Sequence, residues 1–156
     1  MQIEVIAIGQ NMPSWVDDAC EKYKTRLPKN FQLKFKSLPI IKRNKSSNIS
    51  KIIVQESLSI TKAIHKNSYC IALDAVGKQF NTEQMAAQFN KIQTNFSHIT
   101  FLIGGPDGLS QEIKNNANAI WSLSNLTYAH PVVRVVLSEQ IYRCWSYNQG
   151  HPYHRA

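Results

Sequence analysis

Acidic residues are scarce in this chain: Asp and Glu total 10 against 18 Lys and Arg in 156 residues, a formal charge of +8. That balance points to a polyanionic partner, nucleic acid or an anionic membrane surface, with a merely basic surface as the plainer alternative. Cysteine is nearly absent too. Cys20, Cys70 and Cys144 are the three present, and no CxxC occurs. A zinc finger and a thioredoxin-type redox motif are thereby excluded, and buried free thiols in a reducing compartment are expected. Neither GxGxxG nor GxxxxGK[ST] is present, which argues against a dinucleotide or triphosphate loop. No apolar run approaches the roughly 20 residues of a membrane span. The first residues, Met1 to Gly9, carry Glu4 and no basic segment, so they are no signal peptide. A cytoplasmic protein with no membrane and no metal is the expectation.

What is present suits one folded domain, residues 1–156. Hydrophobic residues make up 43%, too many for disorder. Ile3, Val5 and Ala7 alternate with Ile6 and Ile8, a strand buried on both faces. Ser14 with Asp17 predicts a capped helix start, and Pro28 its stop. Phe31, Leu33 and Phe35 form a half-exposed strand. Pro39 to Asn48 is a loop whose Lys42, Arg43 and Lys45 are candidates for contact with RNA phosphate. Helical spacing follows from Ile49 to Ile64. Tyr69 to Asp74 reads as a central strand ending in an acid. Asn81 with Gln84 opens a helix, Ile99 to Ile103 is a strand, Ser110 caps a short helix, and Ile120 to Leu123 is the last strand. His130-Pro131 then opens a helix to about Tyr147. Strands alternating with helices predict an α/β domain with a mainly parallel sheet and helices on both faces.

Ligands of such sheets bind beyond the carboxyl ends of the strands. Leu73-Asp74, Gly104-Gly105 and Leu123-Ser124 are three such ends. The glycines at 104, 105 and 108 suit either a ligand-binding loop or a bare tight turn. The last helix, with Val132, Val133, Val135, Val136, Leu137, Ile141, Tyr142, Cys144 and Trp145, has hardly any polar face. A second copy of the chain is its simplest cover. The tail brings together His151, Tyr153, His154 and Arg155, able to bind phosphate, stack on a base or move a proton.

Several of these segments carry a family resemblance. They are Leu73-Asp74-Ala75-Val76-Gly77-Lys78, Phe101 to Ser110 (FLIGGPDGLS), Trp121-Ser122-Leu123-Ser124, His130-Pro131-Val132-Val133-Arg134-Val135 and His151-Pro152-Tyr153-His154-Arg155. In that order and spacing they resemble the RlmH family, the ribosomal large subunit methyltransferases H of the SPOUT class. Asp107 stands where Glu is more usual in that pattern. The resemblance implies an α/β knot with a C-terminal trefoil, although ordinary chain topology excludes knots. It implies S-adenosylmethionine (SAM) as cofactor, held by Leu73, Gly104, Leu123, Ser124, Asn125, Leu126, Thr127 and Tyr128. It also implies a homodimer that completes the site across its interface. The implied reaction is methylation of N3 of a pseudouridine in helix 69 of 23S rRNA within the assembled ribosome.

Such a reaction needs orientation of two reactants, and help for the departing N3 proton. Tyr153, His154 and Arg155 are the candidate catalytic group, with His130 and Arg134 further candidates. A ribosome-binding factor without chemistry is the alternative function.

Overall fold

Alternation along β1 (Gln2–Ile8) sets the layering. In the computed structural model, which describes residues 1–155 apart from the side chain of His154, Ile3, Val5 and Ala7 enter one core while Ile6 and Ile8 enter another. Successive side chains of a strand point to opposite faces, so a strand apolar on both must be covered on both. Four further strands join it: β2 (Gln32–Leu38), β3 (Tyr69–Lys78), β4 (His98–Ile103) and β5 (Ala119–Trp121). Their order is β2-β1-β4-β3-β5, and every pairing is parallel. The expected parallel α/β sheet is what forms.

The first core takes α3 (Thr82–Gln93) and α5 (His130–Asn148). Met85, Phe89, Leu137 and Ile141 pack there against Phe101 and Trp121. Phe89, Phe101 and Trp121 meet one another at ring separations of 5.8–6.2 Å. The second core takes α2 (Ile49–Ala63) and α4 (Gln111–Asn116), whose Ile60 and Ile113 cover Ile6, Ala72 and Leu102. α1 (Ser14–Lys24) lies beside α5, and a short 3-10 turn, Pro152–Arg155, folds back on α5.

The helix starts follow local chemistry. Asn81 and Gln84 form the expected reciprocal cap, with side-chain to backbone distances of 2.8 and 3.0 Å. Ser110 accepts from the Ile113 amide at 3.2 Å, as expected. Ser14 does not cap α1: the cap position is Pro13, with no side-chain bond, and its carbonyl accepts the Val16 amide at 2.9 Å.

Two strand ends differ from expectation, and one feature explains both. β3 runs on past Asp74 to Lys78, and β5 stops at Trp121 rather than Leu123. Trp121 pairs with both Leu73 and Lys78, and the Ser122 amide donates to the Lys78 carbonyl at 2.9 Å. Residues 74–77 therefore leave the ladder and return to it across the end of β5. Gly77 lies at the crossing, where a Cβ would stand 2.8 Å from the Ser122 nitrogen.

α5 has no exposed residue. Much of its cover comes from its own chain. Val132, Val135, Val136, Glu139, Gln140 and Arg143 form one half-buried stripe, spaced as a single helix face. Among the described residues no helix is long and apolar enough to cross a membrane.

Candidate active site

The carboxyl ends of β4 and β5, with the point where β3 leaves its ladder after Leu73, surround a cavity of about 410 Å³. Leu73 and Asp74 come from β3, Ile103 from the end of β4 with Gly104 just beyond it, and Trp121 from the end of β5 with Ser122 just beyond it. The segment 123–128 closes one side, and His130 and Val133 of α5 form the back. A cleft of about 490 Å³ at the other end of the molecule is somewhat larger, but carboxamides of Asn30, Asn90, Gln93 and Asn148 dominate its lining. The strand-end cavity has the usual plan of a small-molecule site, apolar walls with a few oriented polar groups.

Of the eight expected cofactor residues, Leu73, Gly104, Leu123, Ser124, Leu126, Thr127 and Tyr128 line this cavity. Asn125 does not line it; its side-chain oxygen accepts from Gln79 Nε2 instead. Gly104 also serves the tight turn, one of the two readings of these glycines. A Cβ there would overlap the Gly108 backbone, so this glycine permits closure of the turn 104–108. The Gly108 amide donates to the Gly105 carbonyl at 2.9 Å, and Gly108 has φ +78°.

Both carboxylates at the rim are held by cations from outside. Asp74 meets Lys114 Nζ at 3.1 Å and accepts from the Val76 amide at 3.0 Å. Burial works to raise its pKa, but those two donors outweigh it and hold the carboxyl below its ordinary range. Asp107 meets Arg43 Nε at 3.0 Å, and the same guanidinium meets buried Glu56 at 2.6 and 3.0 Å. Arg43 is therefore not a free phosphate contact. Of the expected basic loop, Lys42 and Lys45 are exposed, whereas Arg43 braces the glycine turn from beneath.

Among the described residues no Lys or Arg lines the cavity itself, although the chain carries 18. His130 is the one basic residue of its described lining. Burial, then the nearby charge of Arg134, pushes the His130 pKa down, with a bond to the Gly104 backbone opposing them in part. Spacing alone could not have picked out His130 as a pocket residue, because that depends on α5 packing behind β4.

None of the described tail residues lines this cavity in its own chain. The Tyr153 hydroxyl bonds Glu139 Oε1 at 3.2 Å, and its ring meets Tyr142 at 4.8 Å. Burial first, then hydrogen bonding to Tyr23 and the charge of Glu139, raises the phenol pKa, so Tyr153 keeps its proton near neutrality. Arg155 is exposed, and the side chain of His154 lies outside the described residues. Arg134 is buried behind His130, out of the cavity wall. Cys20, Cys70 and Cys144 are free and buried.

Comparison with known proteins agrees with this geometry. The family model described as "Predicted SPOUT methyltransferase" matches residues 1–154. Proteins named "Ribosomal RNA large subunit methyltransferase H" are similar over their whole length. Those of Saccharophagus degradans (strain 2-40 / ATCC 43961 / DSM 17024), Legionella pneumophila (strain Paris) and Dichelobacter nodosus (strain VCS1703A) are 43%, 42% and 41% identical. The matches cover 99%, 99% and 100% of this chain and 100%, 99% and 100% of the relatives. With its sheet, its strand-end cavity and these matches along the full chain, the protein belongs to the SPOUT methyltransferase family and has that family's α/β trefoil knot.

Proposed function

We propose that the chain transfers a methyl group from SAM to N3 of a pseudouridine in helix 69 of 23S rRNA, on the assembled ribosome, as a homodimer. The observation that carries the donor assignment is the cavity without Lys or Arg in a chain of charge +8. A sulfonium is a cation, and a site for it gains from keeping other cations out. The residues suit the rest of the molecule as well. Leu73, Leu123 and Leu126 offer apolar contact to an adenine, and the backbone of 124–128 offers donors and acceptors for its polar edge. Asp74, fixed by Lys114, offers an acceptor for an ammonium group. When bound, SAM supplies an electrophilic methyl that needs no metal.

The chain's own work is to orient the two reactants and to ease the loss of the N3 proton. Tyr153, His154 and Arg155 are our candidates for that work. Tyr153 is tied to Glu139, nine residues along α5 from His130, or about 13 Å of helix. A tail anchored there serves a pocket in a second copy more readily than its own, which is why we place the working site between two protomers. The relatives' printed name gives the rRNA substrate, and Lys42 and Lys45 add exposed positive charge for phosphate. A ribosomal substrate puts the protein in the cytoplasm, where buried free thiols are stable.

The test is transfer of labelled methyl from SAM to intact ribosomes and to free 23S rRNA, followed by mapping of the modified base. We expect label on intact ribosomes at the helix 69 pseudouridine. Ribosome binding without any methyl transfer would leave the docking-factor alternative standing.

A further inference from the structure

α5 carries a buried guanidinium that no carboxylate pairs with directly among the described residues. It belongs to Arg134, which is 3% exposed. Its Nη2 donates to the Gly9 carbonyl at 2.6 Å and its Nη1 to Ser37 Oγ at 2.8 Å, while Nε has no partner. Such burial is costly and calls for a reason. The reason we see lies one turn back, where Nη2 also stands 3.3 Å from His130 Nε2. A guanidinium only donates, so Nε2 must be the accepting nitrogen, and the ring proton then sits on Nδ1. That leaves Nδ1–H as the donor to the Gly104 backbone, at the turn that forms the cavity floor.

We propose that Arg134 is a positioning residue for the donor pocket, holding His130 as the neutral Nδ1–H tautomer so that its ring ties down Gly104 and puts no positive charge beside a bound sulfonium. This rests on the reading of SAM as the donor. Among the described residues lining the cavity, His130 is the one that could bring a titrating cation there, and the uncharged-ligand control and His130→Gln separate it from any cation a second copy's tail supplies. The charged and titratable groups around it are few. Arg134 faces it from α5, and Asp17 and Cys20 of α1 stand behind Arg134. Asp74 and Tyr128 share the cavity wall, and Asp107 beneath the turn is engaged by Arg43. Protonation of His130 would turn its accepting Nε2 into a second donor facing Arg134, breaking that contact and charging the pocket at once.

The experiment compares SAM with S-adenosylhomocysteine, the same molecule without the methyl and its sulfonium charge. Affinities are measured by calorimetry from about pH 8 to pH 5.5, a window around the ordinary His value. For the wild type, whose His130 pKa lies below the ordinary value, we expect SAM to lose about two- to fivefold by pH 5.5 and the uncharged thioether to lose distinctly less. Arg134→Gln removes the charge that disfavours protonation, so the loss of SAM affinity should begin at higher pH. His130→Gln should bind SAM equally across the range. The tautomer is read separately in the unaltered protein from the imidazole nitrogen resonances at pH 8, assigned with His130→Gln, so the test survives a poorly folded Arg134 variant. Parallel acid profiles for the two ligands, or an Nε2–H tautomer, would overturn the proposal alone. Failure of SAM to bind at pH 8 would overturn the donor reading with it.

Discussion

Glu56 is 3% exposed and depends on one cation, the Arg43 guanidinium, which contacts both of its carboxylate oxygens. The Ile41 amide donates to the same carboxylate at 3.2 Å, and Arg43 Nη1 returns a bond to the Ile41 carbonyl at 2.6 Å. Loop, helix and glycine turn thus meet at one side chain. Gly105 belongs to that junction, since a Cβ on it would stand 2.9 Å from Glu56 Oε2. Removing one partner of a buried pair leaves an uncompensated charge, whereas removing both can be nearly neutral. Arg43→Ala should therefore destabilise the fold by about 3 kcal/mol, and Arg43→Leu with Glu56→Leu by much less. Urea unfolding checks this, and equal losses in the two variants would mean that the pair is not a unit. In the single variant, SAM affinity should fall as well, because the freed Asp107 lets the turn 104–108 move. Ribosome affinity at saturating SAM should change little if Arg43 never touches phosphate.

At the scale of elements, the 3-10 turn Pro152–Arg155 and α5 form a docked pair. Arg143 bonds Glu139 at 2.7 Å and lies 5.0 Å from the Tyr153 ring, so cation, carboxylate and phenol support one another. Anchoring of this kind fixes where the last residues leave the helix and which surface they can reach. Deleting residues 153–156 removes no member of the two cores, so folding and SAM binding should survive. Methyl transfer on saturating ribosomes should fall by about a hundredfold if the tail supplies general acid or base assistance. Single-turnover methylation at the wild-type rate would return the tail to the status of an ordinary frayed terminus.

At the scale of the molecule, the half-buried stripe on α5 joins Val132, Val135 and Val136 to Glu139, Gln140 and Arg143. Near the cavity, Val76 is 85% and Leu126 71% exposed. Apolar surface gathered beside a strand-end pocket fits a second protomer better than water. Val135→Asp with Val136→Asp should yield a folded monomer by sedimentation at micromolar concentration. Its methyl transfer should drop to near zero, since the tail would have no neighbouring pocket to serve. A fully active monomer would contradict the dimeric site.

The order of elements is legible in the chain, because hydrophobic period and helix caps are written in neighbouring residues. Ile3 to Ile8 fill two cores, Asn81 and Ser110 cap as their local spacing requires, and Leu73-Asp74, Gly104-Gly105 and Leu123-Ser124 all line the cavity, although β3 and β5 end elsewhere. Which charges are free depends on contacts between residues far apart in the chain. Arg43 sits in a basic run, yet its partners lie 13 and 64 residues away in Glu56 and Asp107. Arg134 finds the Gly9 carbonyl 125 residues back, and the packing of α5 makes His130, one turn before it, part of the pocket. The detour of residues 74–77 across Trp121 likewise has no local signature beyond Gly77, whose missing side chain makes room for a strand end from far along the chain. Periodicity records which face of an element turns inward. It does not record what that face will meet, and in this chain that meeting decides the chemistry of the site.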